Sequence, residues 1–97
     1  MTFGQKIILE RLNLLQLEQV DLGLREGLTQ EQVLLYARKE FSYEQMEAIK
    51  IGLLDGMLDG MTEVDLTSFL RPDMSIEEIQ KNISHFSGTS NFNERSR

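Results

Sequence analysis

Apolar residues in this chain recur at three- and four-residue steps inside short stretches. Each stretch opens on a Ser, Thr or Asn followed three residues later by Gln, Glu or Asp. That spacing lets two side chains satisfy two orphan backbone amides reciprocally, so it marks helix starts. Thr2 with Gln5, Asn13 with Gln16, Thr29 with Gln32, Ser42 with Gln45, Thr62 with Asp65 and Ser75 with Glu78 predict about six short helices. Gly27 and Gly56 follow apolar-periodic runs and suit the left-handed residue that ends a helix, and Pro72 breaks the chain three residues before Ser75. In the clearest long helix Tyr43, Met46, Ile49, Leu53 and Met57 form one apolar stripe, while Glu44, Glu47 and Asp55 fall off it toward water. Period-2 alternation is absent and β-branched residues are few, so the fold class is all-α.

The order of short helix, tight corner and longer helix is written two and a half to three times. Moving back by 29 residues places Ser42, Met46, Ile49, Gly52 and Gly56 on Asn13, Leu17, Val20, Gly23 and Gly27. Moving forward by 33 places Thr29, Val33, Tyr36, Phe41, Ser42 and Met46 on Thr62, Leu66, Phe69, Met74, Ser75 and Ile79. The doubled Asp-Gly-Met at 55–57 and 59–61 takes up the four extra residues. A period of roughly 30 residues belongs to helix pairs that stack on their neighbours and share a core. Gly23, Gly27, Gly52 and Gly56 then serve close helix approach or helix ends, not a phosphate loop. Residues 1–86 are expected to form a single helical-repeat domain. Residues 87–97 hold one aromatic and no periodicity and are expected to be a disordered, flexible tail.

Charge changes this picture more than composition does. Residues 1–39 hold five acids (Glu10, Glu18, Asp21, Glu26, Glu31) against five bases (Lys6, Arg11, Arg25, Arg38, Lys39). Residues 40–80 hold ten acids against Lys50 and Arg71 alone, so that segment carries −8 of a chain whose net charge is −6. Such a middle repels nucleic acid, which is bound by clustered Lys and Arg. The absence of cysteine removes disulfides and thiolate metal sites and accords with a reducing cytoplasm. No apolar run reaches the roughly 18 to 20 residues of a membrane span, and the amino terminus lacks a signal-peptide pattern, so a cytoplasmic protein without membrane contact is expected.

Little in the sequence carries catalysis. His85 is the only histidine and has no Ser or Cys nucleophile in a recognisable setting, and one imidazole cannot make a zinc site. The stretch from Asp55 to Gly60 fails as a calcium loop, because Met57 and Leu66 fall where the third and twelfth ligands must stand. Glu77, Glu78 or Asp73 could approach Glu40 or Glu44, yet nothing marks a substrate cleft around them. No catalytic residue, cofactor or metal is expected, and the protein reads as a non-enzyme.

From Tyr36-Ala37 through Phe41, Gln45-Met46, Ile49, Gly52-Leu53 and Gly56 the chain resembles a short repeat of Gram-positive mobile-element proteins, with Lys39 in place of a proline and Lys50 in place of an arginine. The third unit keeps the proline as Pro72 and replaces Gln-Met by Glu78-Ile79. The resemblance covers residues 28–57 well and implies an interaction module carried on plasmids, conjugative elements and phages. Together with small size and an acidic half, it is similar to inhibitors of bacterial nuclease defences, including anti-CRISPR proteins.

These readings converge on an acidic, non-enzymatic protein-binding module that blocks the basic groove of a nucleic-acid-processing enzyme such as the Cas9 nuclease. The expected partner contacts are Glu40, Glu44, Glu47, Asp55, Asp59, Glu63, Asp65 and Asp73. The alternative is a scaffold module of a mobile element, monomeric or homodimeric, that self-associates through exposed apolar repeat surface at Met57, Leu58, Met61 and Phe69.

Overall fold

A computed structural model of the chain contains six helices, α1 (Phe3–Glu10), α2 (Leu14–Arg25), α3 (Gln30–Tyr36), α4 (Tyr43–Leu54), α5 (Glu63–Phe69) and α6 (Ile76–Arg95), and no strand among the described residues. The backbone is described through Arg95 and the side chains through Phe86; the tail expected to be disordered, residues 87–97, lies outside the fully described residues. All six reciprocal caps form. In each, the Ser, Thr or Asn oxygen accepts from the amide three residues on, and the Gln, Glu or Asp oxygen accepts from the cap amide, at 2.8–3.2 Å.

Two of the three longer helices end alike. Gly27 and Gly56 take positive φ of 114° and 76°. Beyond them the Leu28 amide donates to the Gly23 carbonyl and the Met57 amide to that of Gly52, each at 2.9 Å. Both ends are Schellman motifs, and each makes a helix corner without a large loop. In chain order the helices fall into three successive units, α1–α2, α3–α4 and α5–α6, and the two Schellman corners join each unit to the next. α4 lies at the centre and packs on α2, α3 and α6.

The units are joined by a device that neither helix propensity nor the apolar stripe accounts for. Gln16, besides closing its own cap, donates through Nε2 to the carbonyls of Lys39 at 3.2 Å and Phe41 at 2.6 Å, in the corner of the next unit. Gln45 does the same to the carbonyls of Pro72 at 2.9 Å and Met74 at 2.8 Å. Both amides are buried. One side chain thus starts a helix and satisfies two carbonyls of the following corner, the Phe41 bond buried and the other three part-buried. In the third unit the same position is Glu78, whose carboxylate caps Ser75 but has no N–H to offer onward.

The core runs through all three units: Val20, Val33, Tyr36, Phe41, Met46, Ile49, Leu53, Leu66, Leu70, Ile79 and Ile83 are buried. Gly23 permits the closest approach, since a Cβ there would overlap the Tyr36 hydroxyl. That hydroxyl donates to the Gln19 carbonyl at 2.8 Å and ties α3 to α2. Of the expected stripe on α4, Met46, Ile49 and Leu53 are buried, while Tyr43 at its start is partly exposed.

The apolar ridge expected at Met57, Leu58, Met61 and Phe69 is not an exposed surface. Leu58 and Met61 are buried, and Met57 and Phe69 are half-buried against the core. The physical reason lies in the doubled Asp-Gly. Gly60 is a second left-handed residue, with φ of 82°, and in the turn between Gly56 and Gly60 Leu58 comes down onto Gly52. The inserted residues extend the core and do not project from it.

Candidate protein-binding surface

On α4 the buried residues are Gln45, Met46, Ala48, Ile49, Lys50, Gly52 and Leu53. Glu44, Glu47 and Ile51 are exposed, as is Asp55, the residue that caps the helix. At about 100° per residue, positions 44, 47, 51 and 55 fall within an arc of roughly 80°, and at about 1.5 Å per residue they span about 16 Å along the axis. The outer face of α4 is therefore a row of three carboxylates with Ile51 set among them. Glu40 stands exposed in the corner before this helix, and Asp59 in the turn after it, where its carboxylate leans over Gly56.

The eight expected contact acids divide into two groups. Glu63 pairs with Arg38 at 3.2 Å, Asp73 pairs with Arg71 at 3.2 Å, and Asp65 is held in the Thr62 cap. Those three have structural duties on α5 and the following corner. Glu40, Glu44, Glu47, Asp55 and Asp59 have no ion-pair partner among the described residues. They are also the five that belong to α4 or flank it.

Asp55 stands out within this group on electrostatic grounds. Glu44 lies in the first turn of α4, where the positive end of the helix dipole favours a carboxylate, so its charge contributes to folding. Asp55 is the C-cap, at the negative end, and the last turn holds no base. The equivalent acid one unit earlier is Glu26, the C-cap of α2, and it has a partner: Lys50 Nζ lies 3.1 Å from its carboxylate. The residue equivalent to Lys50 one unit later is Ile83, which is buried in the core. The ion pair that relieves Glu26 is thereby absent for Asp55.

Lys50 itself is only 5% exposed. Its charge is spent inward on Glu26, so one of the two bases of the acidic segment does not reach the surface, and Arg71 is engaged by Asp73. The outer face of α4 is more negative than a simple count of charges implies. Sequence reasoning missed both effects; the 29-residue repeat aligned Glu26 with Asp55, but only the fold shows which lysine answers the first.

His85 is exposed, with its ring stacked on Phe69 at a centroid distance of 6.2 Å. Burial, and after it the charge of Glu26, raise the ionisation of the Tyr36 hydroxyl well above the ordinary value of 10.0, which suits a structural donor. No cluster of three or more His, Cys, Asp or Glu able to hold a metal occurs among the described residues, and no helix among them is long and apolar enough to cross a membrane. Comparison of the chain with protein-family models, with curated proteins and with solved structures gives no match.

Proposed function

We propose that this protein is a non-enzymatic, cytoplasmic inhibitor of the anti-CRISPR type, which lays the outer face of α4 into the basic nucleic-acid groove of a bacterial defence nuclease such as a Cas nuclease. Glu44, Glu47 and Asp55 are the central contacts, with Glu40 and Asp59 at the two ends. The observation that carries this reading is the unrelieved charge at Asp55. Folding favours a neutral or basic residue at that helix end, and a carboxylate there is accounted for by a cationic partner. A rigid row of acids about 16 Å long complements the Lys and Arg that a nuclease presents to phosphates, and it raises the association rate through long-range attraction. Ile51 supplies an apolar contact within the row.

The remaining acids fit a supporting part. Glu63, Asp65 and Asp73 add to the negative field while holding α5 and its corner in place. The resemblance of residues 28–57 to mobile-element repeats agrees with a protein that protects such an element from host defence. The test is a DNA-cleavage assay with guide-loaded Cas nucleases and increasing amounts of this protein at two ionic strengths. Dose-dependent inhibition that weakens at the higher salt is expected, since exposed charge pairs are screened over about 8 to 10 Å. Inhibition indifferent to salt would place the contact on apolar surface, and no inhibition by any nuclease in the panel would remove the proposal.

A further inference from the structure

The repeat makes it possible to ask, position by position, what covers each residue in each unit. Leu17, Met46 and Ile79 are equivalent; Ile8 falls opposite Ala37 and Leu70 by the same sequence shift, but α1 continues through it whereas α3 and α5 stop at those residues. In the second and third units both positions are buried: Met46 and Ile79 are 0% exposed, Ala37 is 2% and Leu70 is 0%. In the first unit Leu17 is 37% exposed and Ile8 is 75%. The second and third units each follow another unit in the array, whereas the first has none before it among the described residues. Leu17 thus stands exposed at a position that is buried in both later units, and Ile8 on the preceding helix is more exposed still.

Their neighbours extend the same surface. Leu9, Leu14 and Leu15 are exposed around the α1–α2 corner, and Met1, Gln5, Ile8 and Leu9 line a shallow cavity of about 430 Å³. The carbonyls of Glu10 and Leu12 are equivalent to those of Lys39 and Phe41, which Gln16 satisfies in the second unit; the first-unit pair has no such amide among the described residues. Apart from Tyr43, Ile51 and Val64, every exposed large apolar side chain among the described residues lies in this first unit. Exposed large apolar residues concentrated in one unit mark a contact site.

We infer that the α1–α2 face is a homodimer interface, and that it seats the same face of a second copy about a two-fold axis. Charge selects this occupant. Residues 1–39 carry five acids and five bases, so two such faces meet without repulsion, with Lys6, Arg11, Glu10 and Glu18 offering both signs around the contact. Residues 40–80 carry −8 and would repel a like segment, so the neutral face is the one a second copy can approach. The far end of the array argues against stacking head to tail. Glu78 stands where Gln16 and Gln45 donate to the next corner, and a carboxylate there faces carbonyls it cannot satisfy. An isologous contact between two first units closes on itself, whereas head-to-tail stacking would grow.

The experiment is sedimentation equilibrium on the full chain over a wide concentration range, repeated with Ile8→Glu/Leu17→Glu and with Glu44→Lys/Glu47→Lys/Asp55→Lys. The wild type is expected to approach twice the 11.2 kDa chain mass and to stop there. The first variant, altered only at exposed positions, is expected to keep its helical circular dichroism and remain at the chain mass, whereas the α4 variant still dimerises. A wild type that stays monomeric, a species that grows beyond two copies, or an Ile8→Glu/Leu17→Glu variant that dimerises as before would each overturn the inference. If the Ile8→Glu/Leu17→Glu variant loses helicity, Leu14→Lys, at the most exposed of these leucines, supplies the same reading. The inference is independent of the nuclease proposal, because the α4 variant separates the two.

Discussion

Gln16 and Gln45 each close a helix cap and satisfy two carbonyls of the following corner, while Glu78 only closes a cap. Gln45→Glu is therefore expected to lower stability by about 1–3 kcal/mol in urea unfolding, since two part-buried carbonyls lose their donor and meet a carboxylate, whereas Glu78→Gln stays within about 0.5 kcal/mol. Equal effects at the two positions would remove the inter-unit role. At Gly23, Ala is expected to cost about 1–3 kcal/mol, because the Tyr36 hydroxyl that it displaces is fixed on the Gln19 carbonyl. The same hydroxyl gives a pH signature. Its folded ionisation lies above the unfolded value of 10.0, so the unfolded chain releases that proton first. The stabilisation is complete below about pH 10 and lost progressively as pH rises beyond it. In melts taken across that range, Tyr36→Phe is expected to be less stable by about 1 kcal/mol at neutral pH and to lose stability less steeply in alkali. The caps were legible in the sequence because both partners lie three residues apart. The onward bonds of Gln16 and Gln45 were not, because their acceptors lie 23 to 29 residues away.

Among the helices, α4 is both the centre of the core and the carrier of the acidic row. Its inner face followed directly from the spacing of Met46, Ile49 and Leu53, and its outer face from Glu44, Glu47 and Asp55. What spacing could not supply was the contrast between Glu26, relieved by Lys50, and Asp55, opposite buried Ile83. Asp55→Asn removes a charge from the negative helix end and is expected to raise stability by about 0.3–1 kcal/mol in thermal or urea melts while weakening partner binding. A destabilised Asp55→Asn protein would show that the carboxylate serves the fold after all. The turn from Asp55 to Met61 shows the opposite limit of sequence reading. Leu58 and Met61 look like spare apolar residues beside paired Asp-Gly steps, yet the left-handed residue at Gly60 turns them into core, and the true apolar surface lies on α1 and α2.

For the molecule as a whole, the caps and the apolar spacing correctly specified six helices and no strand among the described residues, because a shared core demands that apolar positions recur. Surface roles were less legible, since an exposed acid and an exposed leucine look alike in sequence whether or not something covers them. The fold sorts them: of the expected contact acids, those without an ion-pair or cap partner among the described residues lie on or beside α4, and uncovered apolar positions gather at the first unit. The most direct test of the inhibitory reading is DNA cleavage by a guide-loaded Cas nuclease, measured against dose for the wild type and for Glu44→Lys/Glu47→Lys/Asp55→Lys. The predicted result is inhibition by the wild type and a loss of at least tenfold in potency for the variant, equivalent to about 1.4 kcal/mol of binding. An equally potent variant, or a wild type that leaves cleavage untouched, would contradict it.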